Sequence, residues 1–489
     1  MRGSLMRAGQ RIKDFTTGSI IGHLLEFSAP LFLGNLLQAL YNTVDSIWVG
    51  RFLGHQALGA VSLSFPIVFT LISLAIGLSL ATTILVSQYF GAGDKDMMHK
   101  TIYSSIAFIG VLGLLMSFLG TATHRRLLML VNAPEDVMPE AAGYLAIYSA
   151  GLAFTFLYNV LGAIYRGLGD SRTPVTVLVY ATILNMILDP MMIFGVFPFP
   201  AMGVAGAAWA TVASQALSVV LLFRWIHSIG VPIGADRASV KRLLNMDGSI
   251  VRSILRIGLP AGAQQALVAL SGMAVIWIVN SFGSTVLAAF GAAVRLDQFA
   301  LMPSMSISMA VSAIVGQNIG AGKMERVRET VTSASTLGCA IALVVASLAL
   351  LKPMLLMSPF SSDDRVLAVG SEYLRIVGLS YIPFALMFVT NGAIRGAGDT
   401  IPTMLNTMAS LWLVRVPLAW ILSRIPAFGA RGIWIAIASA QVVGMALSRL
   451  YYAGGKWKNR AVSVSPGQPS PSRSNGGVNP GDAEDRSWQ

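Results

Sequence analysis

Apolar residues run along this chain in long blocks, and polar residues gather in the gaps between them. Twelve blocks are each long enough to cross a bilayer of roughly 30 Å as a helix. Their limits fall near 21–50, 57–86, 101–122, 140–164, 174–196, 204–228, 253–282, 286–315, 329–352, 369–393, 402–423 and 430–453. The pattern predicts an all-α membrane protein with twelve transmembrane helices. The fifth block carries an interruption, Asn185-Met186-Ile187-Leu188-Asp189-Pro190. An Asp in the middle of a spanning helix costs about 2.5–3.5 kcal/mol on insertion scales, so a chain keeps one where it faces a cavity and binds something. Asn185 lies one turn before Asp189 on the same face. A carboxylate beside an amide oxygen suits a small hard cation. Pro190 predicts a kink.

Composition agrees with the pattern. The chain has 489 residues, 55% of them hydrophobic and 11% charged, against roughly 25% charged in soluble domains. The net charge of +12 does not point to nucleic acid, because the basic residues sit in loops between the apolar blocks. The loop after the sixth block holds Arg237, Lys241, Arg242 and Arg252, and Lys95, Lys100, Arg166, Arg172, Lys323, Arg326, Arg328 and Arg395 lie in other loops on that side. The opposite loops hold fewer, chiefly Arg125, Arg126, Lys352 and Arg365. Both termini are therefore expected in the cytoplasm. The basic start (Arg2, Arg7, Arg11, Lys13) leads into a run too long for a signal-peptide core, so that run is read as the first span. The single Cys339 excludes an intrachain disulfide framework and reads as a packing residue. No GxxxxGK(S/T) loop and no His/Cys cluster is present, so ATP hydrolysis and metal-enzyme chemistry are not expected.

The two halves repeat at an offset of about 229 residues. Gln88-Tyr89-Phe90-Gly91-Ala92-Gly93 matches Gln317-Asn318-Ile319-Gly320-Ala321-Gly322, and Arg166-Gly167-Leu168-Gly169-Asp170 matches Arg395-Gly396-Ala397-Gly398-Asp399. Six spans per copy make the copies parallel, related by an axis along the membrane normal, with a cargo site between them. The boundaries read as an N-terminal segment 1–20, a lobe 21–228, a loop 229–252, a lobe 253–453 and a disordered tail 454–489, rich in Ser, Pro, Gly and Asn from about Ala461.

A second acid joins the opening pair. Asp45 lies fifteen residues after Pro30, and Asp189 fifteen after Pro174, in spans that run the same way. Both rise roughly 22 Å from those prolines, so similar depth in one lobe brings them within reach of each other. Two carboxylates in a low-dielectric cavity do not both stay charged cheaply, so one takes up a proton or the pair shares a sodium ion. The plainer reading is an Asp satisfied by neighbouring donors, with no coupling role.

The run Pro30 to Gly54, the two QxxGAG loops, the two RGxGD loops and Asn185 to Pro190 resemble the multidrug and toxic compound extrusion (MATE) family, in its DinF-like bacterial and archaeal branch. The resemblance covers about residues 20–455. It implies a V-shaped pair of six-helix lobes in a prokaryotic inner membrane, without a cofactor or nucleic acid, and as a monomer. It implies export of organic cations or other amphiphiles in exchange for protons or sodium ions. By motif it adds Tyr41, Tyr144 and Thr211 around Asp45, Asn185 and Asp189, with sodium as one candidate ligand of Asp45, Asn185, Asp189 and Thr211. Some archaeal relatives place Glu between the glycines of the first RGxG motif, where this chain has Leu168. The alternative within the same superfamily is a flippase for a lipid-linked saccharide or related lipid; a channel or sensor is a third class.

The second lobe lacks the acids. Val275 and Val416 take the repeat positions of Asp45 and Asp189, so coupling is expected in the first lobe only. Its exception is Arg295-Leu296-Asp297, with Arg415 the candidate partner of Asp297 in a buried pair or a gate. Met302, Met305 and Met309 follow at helical spacing and suit either a pocket for many shapes or ordinary packing. Phe65, Phe69, Phe290 and Phe299 are either an aromatic wall for cationic cargo or packing. The RGxGD loops are read as structural turns or an inner gate.

Overall fold

The computed structural model describes residues 12–226, 242–243 and 245–460. Readings that fall on residues 1–11, on the central part of the inter-lobe loop and on the tail beyond 460 lie outside the described residues. Every regular element among the described residues is helical. The first lobe holds α1 (Ile20–Trp48), α2 (His55–Gly91), α3 (Lys95–Leu130), α4 (Met138–Ala150 and Leu152–Gly167), α5 (Arg172–Phe194) and α6 (Val204–Ile226). The second holds α7 (Gly248–Asn280), α8 (Ser284–Gly320), α9 (Met324–Leu351), α10 (Asp364–Gly378 and Tyr381–Gly396), α11 (Thr400–Ser423) and α12 (Ala430–Ala453). Ten of these helices are long and apolar enough to cross a membrane, and the bent pairs α4 and α10 bring the spans to twelve. The halves of α4 meet at 45° and those of α10 at 48°.

Repeat-related α2 and α8 have 37 residues each, about 55 Å at the helical rise, so they outrun the hydrocarbon core. Both stop at the QxxGAG motifs, where Gly93 (φ 73) and Gly322 (φ 71) take a conformation that side chains with a Cβ rarely adopt. Asp94 then caps α3 by accepting from Met97 N at 3.0 Å. In the first RGxGD loop, Asp170 is buried and accepts from Arg172 N and Thr173 N at the start of α5. Its counterpart Asp399 accepts instead from Tyr451 OH at 2.6 Å.

These loops gather at one end of the bundle, the basic end, and there the lobes interlock. The start of α7 (Ile250, Ile254, Ile257) packs into the apolar core of the first lobe. Reciprocally, the start of α1 (Ile20, Leu24, Phe27, Leu31) packs into the core of the second, among Ile307, Val311 and Ile314 of α8. Gly77 and Gly258 bring α2 and α7 into backbone contact. Further along, α2 crosses α8: a Cβ on Gly91 would overlap the Gln317 carbonyl, and one on Gly320 the Gln88 carbonyl. At the same crossing Gln88 Nε2 donates to Gly396 O of the second lobe at 2.9 Å. Gln317 Nε2 donates to Gly167 O of the first at 3.2 Å.

The chain before α1 lies over this joint. Phe15 is fully buried, its N–H donates to Gln317 Oε1 at 2.9 Å, and its carbonyl accepts from Asn318 Nδ2 and Arg326 Nη2. Arg326 also reaches the Thr17 and Gly18 carbonyls, and Lys323 the Thr16 carbonyl. Lys13 and Arg172 both pair with Glu26. At the other end of the chain, order continues past 454, where the sequence reading begins a disordered tail. Lys456–Arg460 forms a short 3-10 turn that buries Trp457 against Tyr452, because an indole gains more from burial than this polar turn gains from disorder.

The crossing sets a steric test. Gly320→Ala forces a methyl against backbone, and such overpacking costs about 1–3 kcal/mol. The thermal midpoint of the purified protein in detergent should fall clearly, and an unchanged midpoint would show that the crossing tolerates a side chain.

Candidate functional site

On α5 the spacing 182, 185, 189 places Thr182, Asn185 and Asp189 on one face. All three are buried, Asp189 at 0% exposure. Asn185 Nδ2 donates to Asp189 Oδ1 at 3.3 Å. That orients the amide so that its oxygen points away from the carboxylate oxygen it serves. Asn185 Oδ1 and Thr182 Oγ1 are buried without a hydrogen-bond partner among the described residues. Bare buried oxygens are costly, and two of them on the face of a buried carboxylate fit a proton carrier or a small hard cation.

The neighbouring helices bring the rest. Gly206 lets α6 approach α5 closely, since a Cβ there would overlap the Met192 carbonyl. From α6, Thr211 Oγ1 shares a 3.0 Å hydrogen bond with Tyr41 OH of α1. This contact ties α1 to α6, one turn before Asp45 along α1. The Asp45 side chain lies outside the described residues; its backbone belongs to α1. Tyr144 is buried in a cluster with Val49, Ile193, Val204, Ala207 and Ala208 and stacks on Tyr148 at 6.0 Å. It therefore sits where α4, α5, α6 and the π-helical turn Val49–Leu53 after α1 meet. Gly151, the break in α4, lies against Val212, next to Thr211. Thr182 was missed in the sequence, although its spacing from Asn185 was there to be read.

Pro190 does not break α5, which continues to Phe194 and ends at Gly195 (φ 77). Proline removes the helical N–H that would reach the residue-186 carbonyl, yet the helix runs on for one further turn to Phe194. The breaks fall in α4 and α10 instead.

In the second lobe, Asp297 is 9% exposed and accepts from Tyr373 OH and Tyr381 OH, each at 2.5 Å. Tyr373 belongs to the first half of α10 and Tyr381 to the second. One carboxylate on α8 thus holds both sides of the 48° bend. Arg415 forms no ion pair with it within 4.0 Å. Arg415 ends the π-helical stretch Ala409–Arg415 of α11, and its Nε is buried without a partner among the described residues. Two hydroxyls satisfy the carboxylate directly, while Arg415 stands near enough to act on it electrostatically without a contact ion pair.

The remaining cavity candidates do not form one surface. Phe290 is buried in a stack with Trp434 at 5.5 Å and an edge contact with Tyr373 at 5.9 Å, so it is a packing residue of the second lobe. Met302 is buried and Met309 packs on the apolar core, whereas Met305 is exposed. Arg295 and Phe299 are exposed. Phe65 is 60% exposed and stacks on Phe69 at 6.2 Å. Helical spacing alone does not distinguish a face turned to a neighbour from one turned to cargo or lipid.

The sequence model of the MatE family matches residues 30–191 and 260–421 of this chain, one copy in each lobe. The Bacillus subtilis (strain 168) "Probable multidrug resistance protein YpnP" is 34% identical over 446 residues, 91% of this chain and 97% of that protein. "Probable multidrug resistance protein YoeA" of the same organism is 32% identical over 438 residues, 89% of this chain and 94% of that protein. A crystal structure titled "Crystal structure of MATE in the straight conformation" superposes with a TM-score of 0.83 at 24% identity, covering 90% of this chain and 97% of that one.

The clasp on α10 can be tested by removing its acceptor. Asp297→Ala leaves two buried tyrosine hydroxyls bare, at about 1–3 kcal/mol each. The melting midpoint in detergent should drop more than for Arg415→Ala; equal small effects would argue against the clasp.

Proposed function

Because the chain belongs to the MatE family, we propose that it is a cation-coupled antiporter. In this reading it exports organic cations, drugs or other amphiphilic small molecules and takes in protons or sodium ions. The observation that carries this reading is the fully buried Asp189 beside the bare oxygens of Asn185 and Thr182. A chain that places a carboxylate in a membrane span without a use for it loses stability. The names of the two Bacillus subtilis relatives, multidrug resistance proteins, support the same cargo class.

The coupling cation sits between α5 and α1. Asp189 and Asp45 supply charge, and Asn185 and Thr211 supply neutral oxygens. The Tyr41–Thr211 hydrogen bond sets the separation of α1 from α6 while the site is loaded. Coupling requires that the cation and the cargo prefer different arrangements of the protein. The break of α4 at Gly151, in contact with α6 beside Thr211, is where such a difference would be felt first. The basic end faces the cytoplasm, as loop charge favours. With the lobes locked there, cargo leaves towards the opposite side. Each half-cycle then opens one end and closes the other.

Asp189→Asn and Asp45→Asn should each abolish drug resistance in a hypersensitive host while membrane expression stays at the parental level. In proteoliposomes, cargo efflux should follow an imposed proton or sodium gradient, applied separately, and vanish in both variants. Full resistance in both well-expressed variants, or flux indifferent to either gradient, would overturn the proposal.

A further inference from the structure

The second lobe carries a cleft of its own, apart from the first-lobe residues of the proposed cation site. It lies between the basic ends of α9 and α12, with a volume of about 500 Å³. Arg328, Arg449 and Lys458 line it, together with Thr332, Ser335 and Trp457. Arg328 pairs with Glu325 at 2.9 Å. Arg449 and Lys458 have no carboxylate partner among the described residues. Arg449 Nη2 donates to Ser335 Oγ at 3.4 Å, and Lys458 Nζ lies 5.8 Å from the centre of the Trp457 ring. The cleft therefore holds uncompensated positive charge.

Its floor is built. Trp457 is 1% exposed, stacks on Tyr452 at 4.9 Å, and donates from Nε1 to the Tyr452 carbonyl at 2.8 Å. This anchors the turn Lys456–Arg460 across the end of α12 and fixes Lys458 over the cleft. The walls change character with depth. Thr336 lines the cleft, and Leu343 lies seven residues further along α9, hence on the same face. Val442 stands seven residues before Arg449 on α12. Leu343 is 56% and Val442 46% exposed. Beyond the cationic mouth, the same helix faces thus carry exposed apolar side chains, Leu343 on α9 and Val442 on α12.

We infer that this cleft binds an anionic phospholipid, its headgroup phosphate between Arg449 and Lys458 and an acyl chain along Leu343 and Val442. Basic pockets between spanning helices near the membrane surface are suited to such headgroups. The apolar continuation selects a lipid over a free anion, which would have no use for it. The site lies within one lobe, so it stays intact as the lobes move.

The test uses the purified full-length chain in detergent, titrated with phosphatidylglycerol, phosphatidylcholine or inorganic phosphate, and read by native mass spectrometry. Phosphatidylglycerol should form a one-to-one adduct that persists at collision energies which strip phosphatidylcholine. The double variant Arg449→Gln, Lys458→Gln should bind it about tenfold more weakly or worse, since each cation near the surface contributes on the order of 1 kcal/mol. Arg125→Gln, Arg126→Gln at the opposite end should bind as the parent does. Because both cleft cations are at the surface, a monodisperse double variant is expected; Leu343→Asn, which keeps both charges, serves as the second probe and should also weaken the adduct. Equal retention of the two lipids, unchanged binding by both cleft variants, or inorganic phosphate displacing phosphatidylglycerol at equal concentration would overturn the inference.

Discussion

Two glutamine side chains mark the joint on which the two lobes meet. Gln88 and Gln317 each cross from their own lobe to a glycine carbonyl of the other, at the point where α2 and α8 touch through Gly91 and Gly320. An amide buried in a membrane protein must find a partner, and here each glutamine reaches a glycine carbonyl of the opposite lobe. The rest follows from that joint. The long α2 and α8 are needed to reach it. The RGxGD turns present the carbonyls. The chain before α1 covers what remains, with Phe15 as its plug.

In the proposed transport cycle this joint would have to open and close, and its chemistry suits that demand. The bonds across it are neutral amide-to-carbonyl contacts, each with a modest net contribution. At the α2–α8 crossing itself the close packing relies on glycines, while the apolar starts of α1 and α7 insert into the opposite lobe beside it. The bends in α4 and α10 lie away from the joint, and each is held differently. In the first lobe Gly151 rests on α6 next to the proposed cation site. In the second, Asp297 binds a tyrosine on either side of the break. The repeat has kept the bend and exchanged the chemistry around it: Tyr144 and Tyr373 are counterparts, whereas Asp297 stands where the first lobe has Val68.

Long apolar blocks made the spans legible, because a helix in hydrocarbon has little freedom in composition or length. The repeat was legible too, since glycine turns and buried amides are recognisable at a fixed offset. Asn185 and Asp189 stood out because polar residues are costly where they lie. Other features depended on contacts that no local pattern carries. Phe15 looks like any residue of a basic leader, and only Gln317, far along the chain, shows that it is buried. The partners of Asp297 were sought among cations, because a buried charge invites its opposite. The tyrosines stand eight residues apart, a spacing that reads as one face only once the break after Gly378 is known. The methionines of α8 were placed correctly on a helix, but the packing of α8 against the other helices turned two of them inward.

The glutamine joint also bears on ancestry. Position 88 meets position 396 and position 317 meets position 167, so the two bonds are the same contact made twice, in opposite senses. That is the signature of an isologous interface, as found between identical subunits related by a twofold axis. A single six-helix unit would form the same joint by pairing with a second copy of itself. Covalent fusion then adds no contact there; it removes the requirement that the halves be identical. Once that requirement is gone, an acid may stand at position 189 in one half and at position 297 in the other, while the shared seam stays as it was.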